Sequence, residues 1–317
     1  MAKPKIPLIS IVGPTATGKT ELAINLALKF GGEIVSGDSM QIYKEFDILS
    51  AKPSSLQLKK VPHHLINALS VKEEFSVAKF TNLASKSIYQ IFSRGNVPLL
   101  VGGTGLYIDS LLKNINFEEN KDDEKAKIDL SNLSNEDLLS ELKKIDPVSA
   151  EKIHINDTKR LKRAIEFFYA SGYPISEQSA ESKFTESRYK TCKIGLNYKN
   201  RELLYEKINK RVDDMFASGL VEEVSRVLKM DPGKTANAAI GYKEIVPYIL
   251  GKCSKQEAMD CLKQATRRYA KRQLTWFRRD KEINWIYIDE FDDFEGVIKR
   301  GAEIISTSDL FKTNLEG

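Results

Sequence analysis

Residues Gly13, Pro14, Thr15, Ala16, Thr17, Gly18, Lys19 and Thr20 read G-x-x-x-x-G-K-T, directly after the apolar run Ile6 to Val12. With a strand before it and a helical pattern after it, that spacing is a phosphate-binding loop. Its backbone N–H groups and the positive end of the following helix are suited to cradling a di- or triphosphate. Lys19 adds a positive charge, and the Thr20 hydroxyl is placed for Mg²⁺. By motif alone the loop would suit ATP.

A second chemical position follows the next short strand. Asp38, in Ser36-Gly-Asp-Ser39, should stand beside the loop. The longer apolar strand Pro98 to Val101 ends in Gly102-Gly-Thr104-Gly, not in the metal-binding Asp of an ordinary NTPase. This departure speaks against simple ATP hydrolysis and leaves Asp38 as the carboxylate for proton chemistry, with a turn cap as the competing role. Thr104 can donate to an oxyanion or phosphate, or serve as a helix N-cap. His63 and His64 are adjacent and on a strand would face opposite ways, so a structural or substrate-contacting role is expected over a metal pair. His154 is isolated.

Two basic helical segments complete the set. Lys159-Arg160-Leu161-Lys162-Arg163 is one. The other runs through Arg267-Arg268-Tyr269-Ala270-Lys271-Arg272 to Trp276-Phe277-Arg278-Arg279. Cations at one-turn spacing with interleaved aromatics suggest nucleic-acid backbone binding over a merely solvated face.

The elements that position these residues alternate between strand and helix. The expected strands are Ile6 to Val12, Gly32 to Ser36 and Asn96 to Val101, with amphipathic helices after Thr20, over Phe75 to Phe92 and from Leu106 to Leu112. Such alternation predicts a doubly wound parallel α/β sheet, whose ligands bind beyond the carboxyl ends of the strands. Leu133 to Tyr169 looks purely helical, and strand patterns return at Tyr189 to Leu196 and Ile283 to Ile288. The expected organisation is an α/β core at 1–113 and 186–317 carrying a helical insertion at 114–185.

Composition sets the class. The chain has 317 residues, 41% of them apolar, and a net charge of +5. Mean hydropathy is −0.35. No apolar run nears the ~18 residues of a membrane span. The three cysteines, Cys192, Cys253 and Cys261, lack zinc or disulfide spacing. The first strand starts too early to leave room for a signal peptide, so a cytoplasmic protein is expected.

Six segments in order identify a resemblance. These are the phosphate loop, Asp38-Ser39-Met40-Gln41-Ile-Tyr43, Pro62-His-His-Leu-Ile66, Gly102-Gly-Thr-Gly-Leu-Tyr107, Ala239-Ile-Gly241-Tyr242-Lys243-Glu244, and Arg268 to Phe277. The chain resembles the bacterial tRNA dimethylallyltransferase (tRNA isopentenyltransferase) family over nearly its whole length. The resemblance implies transfer of a dimethylallyl group from dimethylallyl diphosphate to N6 of adenosine 37 in tRNAs reading codons that start with U. It implies Mg²⁺ as cofactor and the tRNA anticodon stem-loop as partner, and a monomer suffices for such chemistry. Asp38, Thr104, Lys19 and Arg211 would be catalytic, with Asp38 as general base, Thr104 near the bridging oxygen and Arg211 on the diphosphate. Without the resemblance, Arg211 reads as a helix-surface residue.

RNA contact is implied for Asp38 to Gln41, Thr104, Lys159 to Arg163, Gly241 to Lys243, Arg268, Lys271, Arg272, Trp276 and Arg278. Lys159 stands where family members have Gln. Phe117 to Lys127 departs from the family, with Lys125 and Lys127 in an acidic context. An adenylate isopentenyltransferase and a small-molecule P-loop kinase are the rival readings. The two basic segments favour a macromolecular acceptor.

Overall fold

The computed structural model describes residues 5–115, 128–177 and 186–311. It divides into two compact units, residues 1–112 with 188–317, and residues 113–187. Phe117 to Lys127, including Lys125 and Lys127, lie outside the described residues.

The larger unit is built on six parallel strands: β1 (Ile6–Val12), β2 (Gly32–Ser36), β3 (His63–His64), β4 (Val97–Gly102), β5 (Tyr189–Asn197) and β6 (Asn284–Tyr287). Their order is β3-β2-β4-β1-β5-β6. β1 is central, with Ile9 opposite both Leu99 and Cys192. Both faces of a parallel sheet must be covered, so its strands are near-continuous apolar runs. One face packs Ile9, Ile11, Leu99, Ile194 and Leu196 against Leu22 and Leu26. Each such wholly buried side chain contributes about 1.5–3 kcal/mol relative to exposure.

The helices of this unit before the insertion are α1 (Lys19–Phe30), α2 (Ser55–Lys60), α3 (Val77–Ser93) and α4 (Gly105–Leu112). The smaller unit holds α5 (Asn135–Ile145), α6 (Pro147–Lys152) and α7 (Thr158–Ser171). The chain then returns through α8 (Arg201–Ala217), α9 (Leu220–Leu228), α10 (Lys234–Asn237), α11 (Tyr242–Ile249), α12 (Lys255–Phe277) and α13 (Phe294–Thr307).

The smaller unit has its own core of Leu138, Leu142, Leu161, Ala164 and Ile165. A Ser134 capping box starts α5, and left-handed Gly172 closes α7. Leu161, grouped above with RNA-facing residues, is wholly buried here. It falls on the apolar stripe of an amphipathic helix, so its side chain serves the core. Lys159, Arg160 and Arg163 are exposed, and Arg160 Nε lies 3.2 Å from Asp157 at the helix start.

The two histidines do face apart. His64 Nε2 lies 2.7 Å from Glu33 Oε2, while His63 Nδ1 lies 2.7 Å from the Val61 carbonyl. Glu33 is 5% exposed and also accepts hydrogen bonds from Arg94 and Asn96. Burial pushes its pKa upward, but the hydrogen bonds from Asn96, His64 and Arg94 outweigh it and hold the carboxyl below its ordinary range. A depressed acid contributes stability that is full above the ordinary carboxylate pKa and lost as pH falls through the folded value. Glu33→Ala is therefore expected to lower the unfolding free energy by about 2 kcal/mol at neutral pH. In urea melts the difference from wild type should shrink in strongly acidic buffer. A constant difference would place the contribution in packing, not charge.

Candidate active site

Two chambers meet at the carboxyl ends of the strands. One, of about 280 Å³, is walled by Thr15 to Glu21, with Asp38, Gln41, His63, Gly103 and Arg211 among its other residues. The second, of about 300 Å³, is lined by Ser39, Met40, Leu49, Met215, Lys243 and Arg272 among others. Thr15, Asp38, Ser50, Arg211 and Tyr269 line both. Residues from five separate segments therefore share one wall.

The loop's shape demands its glycines. Gly13 has φ +141°, and a Cβ there would stand 2.3 Å from the Leu196 carbonyl oxygen. Gly18 is left-handed and leads straight into α1, whose N-terminus opens on the first chamber. Lys19 Nζ donates to the Pro14 carbonyl at 2.6 Å. Burial and the Arg211 charge lower the Lys19 ammonium to about 7, with Asp38 opposing them. Burial likewise pulls the Arg211 guanidinium below its ordinary value, again against Asp38. Among the described residues, Arg211 has no hydrogen-bonded or ion-paired partner. Two cations that lack a full complement of negative charge make an anion site.

Asp38 is half-buried. Its Oδ1 accepts the Met40 N–H at 2.8 Å, so the turn-cap role is realised with that oxygen. The other oxygen has no hydrogen bond among the described residues. Thr104 gives its carbonyl to the first turn of α4, while its hydroxyl accepts the Ser39 N–H at 3.2 Å. Its side chain thus ties two site loops together and does not cap the helix. Ser36 Oγ donates to Gln41 Oε1 at 2.8 Å, which keeps Gln41 in the first chamber while Ser39 and Met40 line the second.

The basic helix α12 presents three faces. Tyr269, Gln273 and Trp276, at i, i+4 and i+7, turn toward the site loops. Burial, with Asp38 adding, raises the Tyr269 phenol to about 12, so it stays protonated. Trp276 packs where a Gly105 Cβ would be, and its Nε1 donates to Asp109 at 3.2 Å. Of the aromatics interleaved with the cations, Phe277 is buried, while Tyr269 and Trp276 are half-buried with Arg272 and Arg279 over their rings. Arg268, Lys271, Arg272 and Arg278 are exposed, but Lys263 pairs with Asp213 and Arg267 donates to Asn209. Near α11, Lys243 is the exposed member of its triplet, with Glu244 Oε1 3.8 Å from its Nζ. Gly241 is buried at φ +102°, and Tyr242, 4% exposed, packs on Phe46.

Two positioning residues escape sequence reading. Glu223, 2% exposed, accepts the N–H groups of Asp47, Ile48 and Leu49 and fixes the loop that carries Leu49 and Ser50. Gln273 accepts the Thr15 N–H at 3.0 Å and donates to the Gly103 carbonyl at 2.9 Å. It is the uncharged polar member of an otherwise aromatic helical face, which is the signal that could have singled it out.

The strand–loop–helix grip at the carboxyl ends of an open parallel sheet defines a P-loop α/β protein. Residues 41–280 match the family model described as IPP transferase. A tRNA dimethylallyltransferase of Acetivibrio thermocellus is 46% identical over 96% of this chain and 99% of its own. One from Caldanaerobacter subterraneus is 45% identical over 92% and 94%. The solved tRNA delta(2)-isopentenylpyrophosphate transferase of Staphylococcus epidermidis is similar at TM-score 0.71 and 42% identity, covering 96% of this chain and 100% of that one. A eukaryotic dimethylallyltransferase captured acting on tRNA aligns at TM-score 0.83 and 28% identity, over 99% and 81%. The chain belongs to the IPP transferase family.

Replacing Gln273 by Leu would leave the Thr15 N–H and the Gly103 carbonyl unpaired. The expected cost is about 2–4 kcal/mol, from one to a few kcal/mol for each stranded group. Hydrogen exchange should show the Thr15 amide losing its protection relative to wild type. Retained protection would mean another acceptor serves that amide.

Proposed function

We propose that this protein transfers the dimethylallyl group of dimethylallyl diphosphate to N6 of adenosine 37 in tRNAs reading codons that begin with U. The observation that carries the reading is the shared wall. Asp38, Arg211 and Tyr269 border both the phosphate-loop chamber and the chamber rimmed by Lys243 and Arg272. A donor held by its diphosphate and a base entering from the other chamber would meet at Asp38.

The exocyclic amine of adenine is a weak nucleophile because its lone pair is delocalised into the ring. As N6 bonds to C1 of the allyl group, the C1–O bond breaks and the diphosphate carries the electron pair away. The oxygen of Asp38 with no hydrogen bond takes the amine proton, as a general base. Lys19, Arg211 and the loop amides stabilise charge growing on the leaving group. Thr104, tied to Ser39, would donate toward its bridging oxygen.

Mg²⁺ fits the same chamber. The Thr20 hydroxyl lines it and has no hydrogen bond among the described residues. No cluster of three or more His, Cys, Asp or Glu stands ready to hold a metal among those residues. One hydroxyl completed by diphosphate oxygens and water suits Mg²⁺, which would neutralise charge on the leaving diphosphate. Exposed Arg268, Arg272 and Lys243 in the larger unit, and Lys159 and Arg163 in the smaller, face the tRNA backbone. The protein acts in the cytoplasm, as a monomer.

Incubation with labelled dimethylallyl diphosphate, Mg²⁺ and either tRNA or AMP tests this directly. Label in tRNA is expected, and label confined to AMP would replace the reading with a free-nucleotide transferase. Asp38→Ala should lower single-turnover prenylation about 10²-fold or more while leaving tRNA affinity near wild type. Transfer at the wild-type rate would remove the base role.

Lys19 sets a pH dependence. Free, it titrates at about 7. Beside a bound diphosphate its pKa rises, so binding above neutrality takes up a proton. Donor affinity should be full below pH 7 and fall up to tenfold per unit as pH rises toward the bound-state pKa. Calorimetry in buffers of differing ionisation enthalpy reads the proton uptake directly. Affinity that stays flat to pH 9 would contradict it.

A further inference from the structure

Tyr269 stands in the shared wall, bordering the phosphate-loop chamber and the second chamber together with Asp38 and Arg211. Neither the phosphate grip nor the basic surface of α12 uses its phenol. One turn further along the helix, Gln273 is pinned to the Thr15 N–H and the Gly103 carbonyl, which fixes where the ring is presented. The Arg272 guanidinium lies over that ring, 5.6 Å from its centre. The side chain is therefore held at the junction of the chambers from two directions.

The surroundings of the hydroxyl single it out. Thr104 and Gln273 stand beside its oxygen, and both favour the phenolate, so they face it with their protons. Their own side-chain oxygens already accept the Ser39 and Thr15 N–H groups. The phenol proton is thus left for an acceptor that enters the chambers. Burial and the Asp38 charge raise the phenol to about 12, so that proton stays in place across neutral pH.

We propose that the Tyr269 hydroxyl donates a hydrogen bond to the bridging oxygen of the allylic diphosphate and is a catalytic residue for its departure. The inference rests on the prenyl-transfer reading above and adds a donor on the leaving side. Asp38 works on the amine, whose proton its open oxygen takes. The C1–O bond breaks as N6 bonds to C1, and the bridging oxygen keeps the electron pair. That oxygen is attached to the carbon being transferred, so it must lie where the two chambers meet. The phenol, beside Thr104, is at that place. No proton passes to the oxygen: Tyr269 keeps its own, and the hydrogen bond strengthens as charge grows on the leaving group. A neutral donor suits this position, because a third cation beside Lys19 and Arg211 would add its own desolvation cost to theirs.

Single-turnover transfer from saturating dimethylallyl diphosphate to tRNA tests the role with Tyr269→Phe. This variant keeps the ring and its contact with Arg272, and its melting temperature should match wild type. Its rate is expected to fall about 10²-fold, as when one preorganised donor to a developing oxyanion is removed. Donor and tRNA affinities should stay near wild type, since the bond is realised in the transition state. In Asp38→Ala/Tyr269→Phe the two losses should multiply, because the groups act on different bonds. A double variant no slower than Asp38→Ala would make the phenol a partner of that carboxylate and overturn the proposal. A loss confined to tRNA affinity would also overturn it, by assigning the hydroxyl to the base. Wild-type transfer by Tyr269→Phe with slow transfer by Tyr269→Leu would move the role to the ring, a third contrary result. Label in AMP but not in tRNA, slowed in the same way by Tyr269→Phe, supports the donor role and removes the tRNA reading. Label in neither acceptor removes the reaction and this role with it.

Discussion

One side-chain amide holds the active site together. Gln273 accepts a hydrogen bond from the phosphate loop at Thr15 and donates one to the Gly103 carbonyl after β4, while its own backbone belongs to the basic helix α12. Three segments far apart in the chain meet at that amide. It is 5% exposed, and Gly103 has no room for a Cβ against it. A buried amide must satisfy both its ends, so the helix can dock in one register only. That register carries Tyr269 to Asp38, Trp276 to Gly105, and Arg272 to the mouth of the second chamber.

Charge then decides what such a site is for. Lys19 and Arg211 stand near each other and near Asp38, and both are shifted toward losing their protons by burial. A protein gains no stability from two buried like charges, and the arrangement becomes favourable only when an anion arrives. The same field leaves the carboxylate between cations, beside a tyrosine that stays protonated. One electrostatic arrangement thus provides both a place for an anion and a carboxylate beside it. The buried staples at Glu223 and Glu33 keep the surrounding loops and sheet edge from relaxing away from it.

Much of this was legible in the sequence because it is local. The phosphate loop and the strands around it depend on neighbours within a few residues, and they formed where the pattern predicts. Asp38 and Thr104 were found because strand ends in a parallel sheet converge on one edge. Leu161 and Tyr242 show the limit. Each lies inside a motif rich in cations or glycine, and each turns inward, since helical phase and not motif membership sets which face is buried.

The sequence by itself determined the alternation of strand and helix, the phosphate grip and the family, through short apolar runs, helical spacing near 3.6 residues and motifs whose chemistry is carried by adjacent atoms. Only the tertiary structure decided the rest. It turned Arg211 from a surface-looking residue of α8 into the wall of two chambers, and gave Gln273 and Glu223 partners more than 150 residues away. Those contacts have no local signature, because a side chain's partner across the fold is set by how buried polar groups are satisfied, which no stretch of sequence contains.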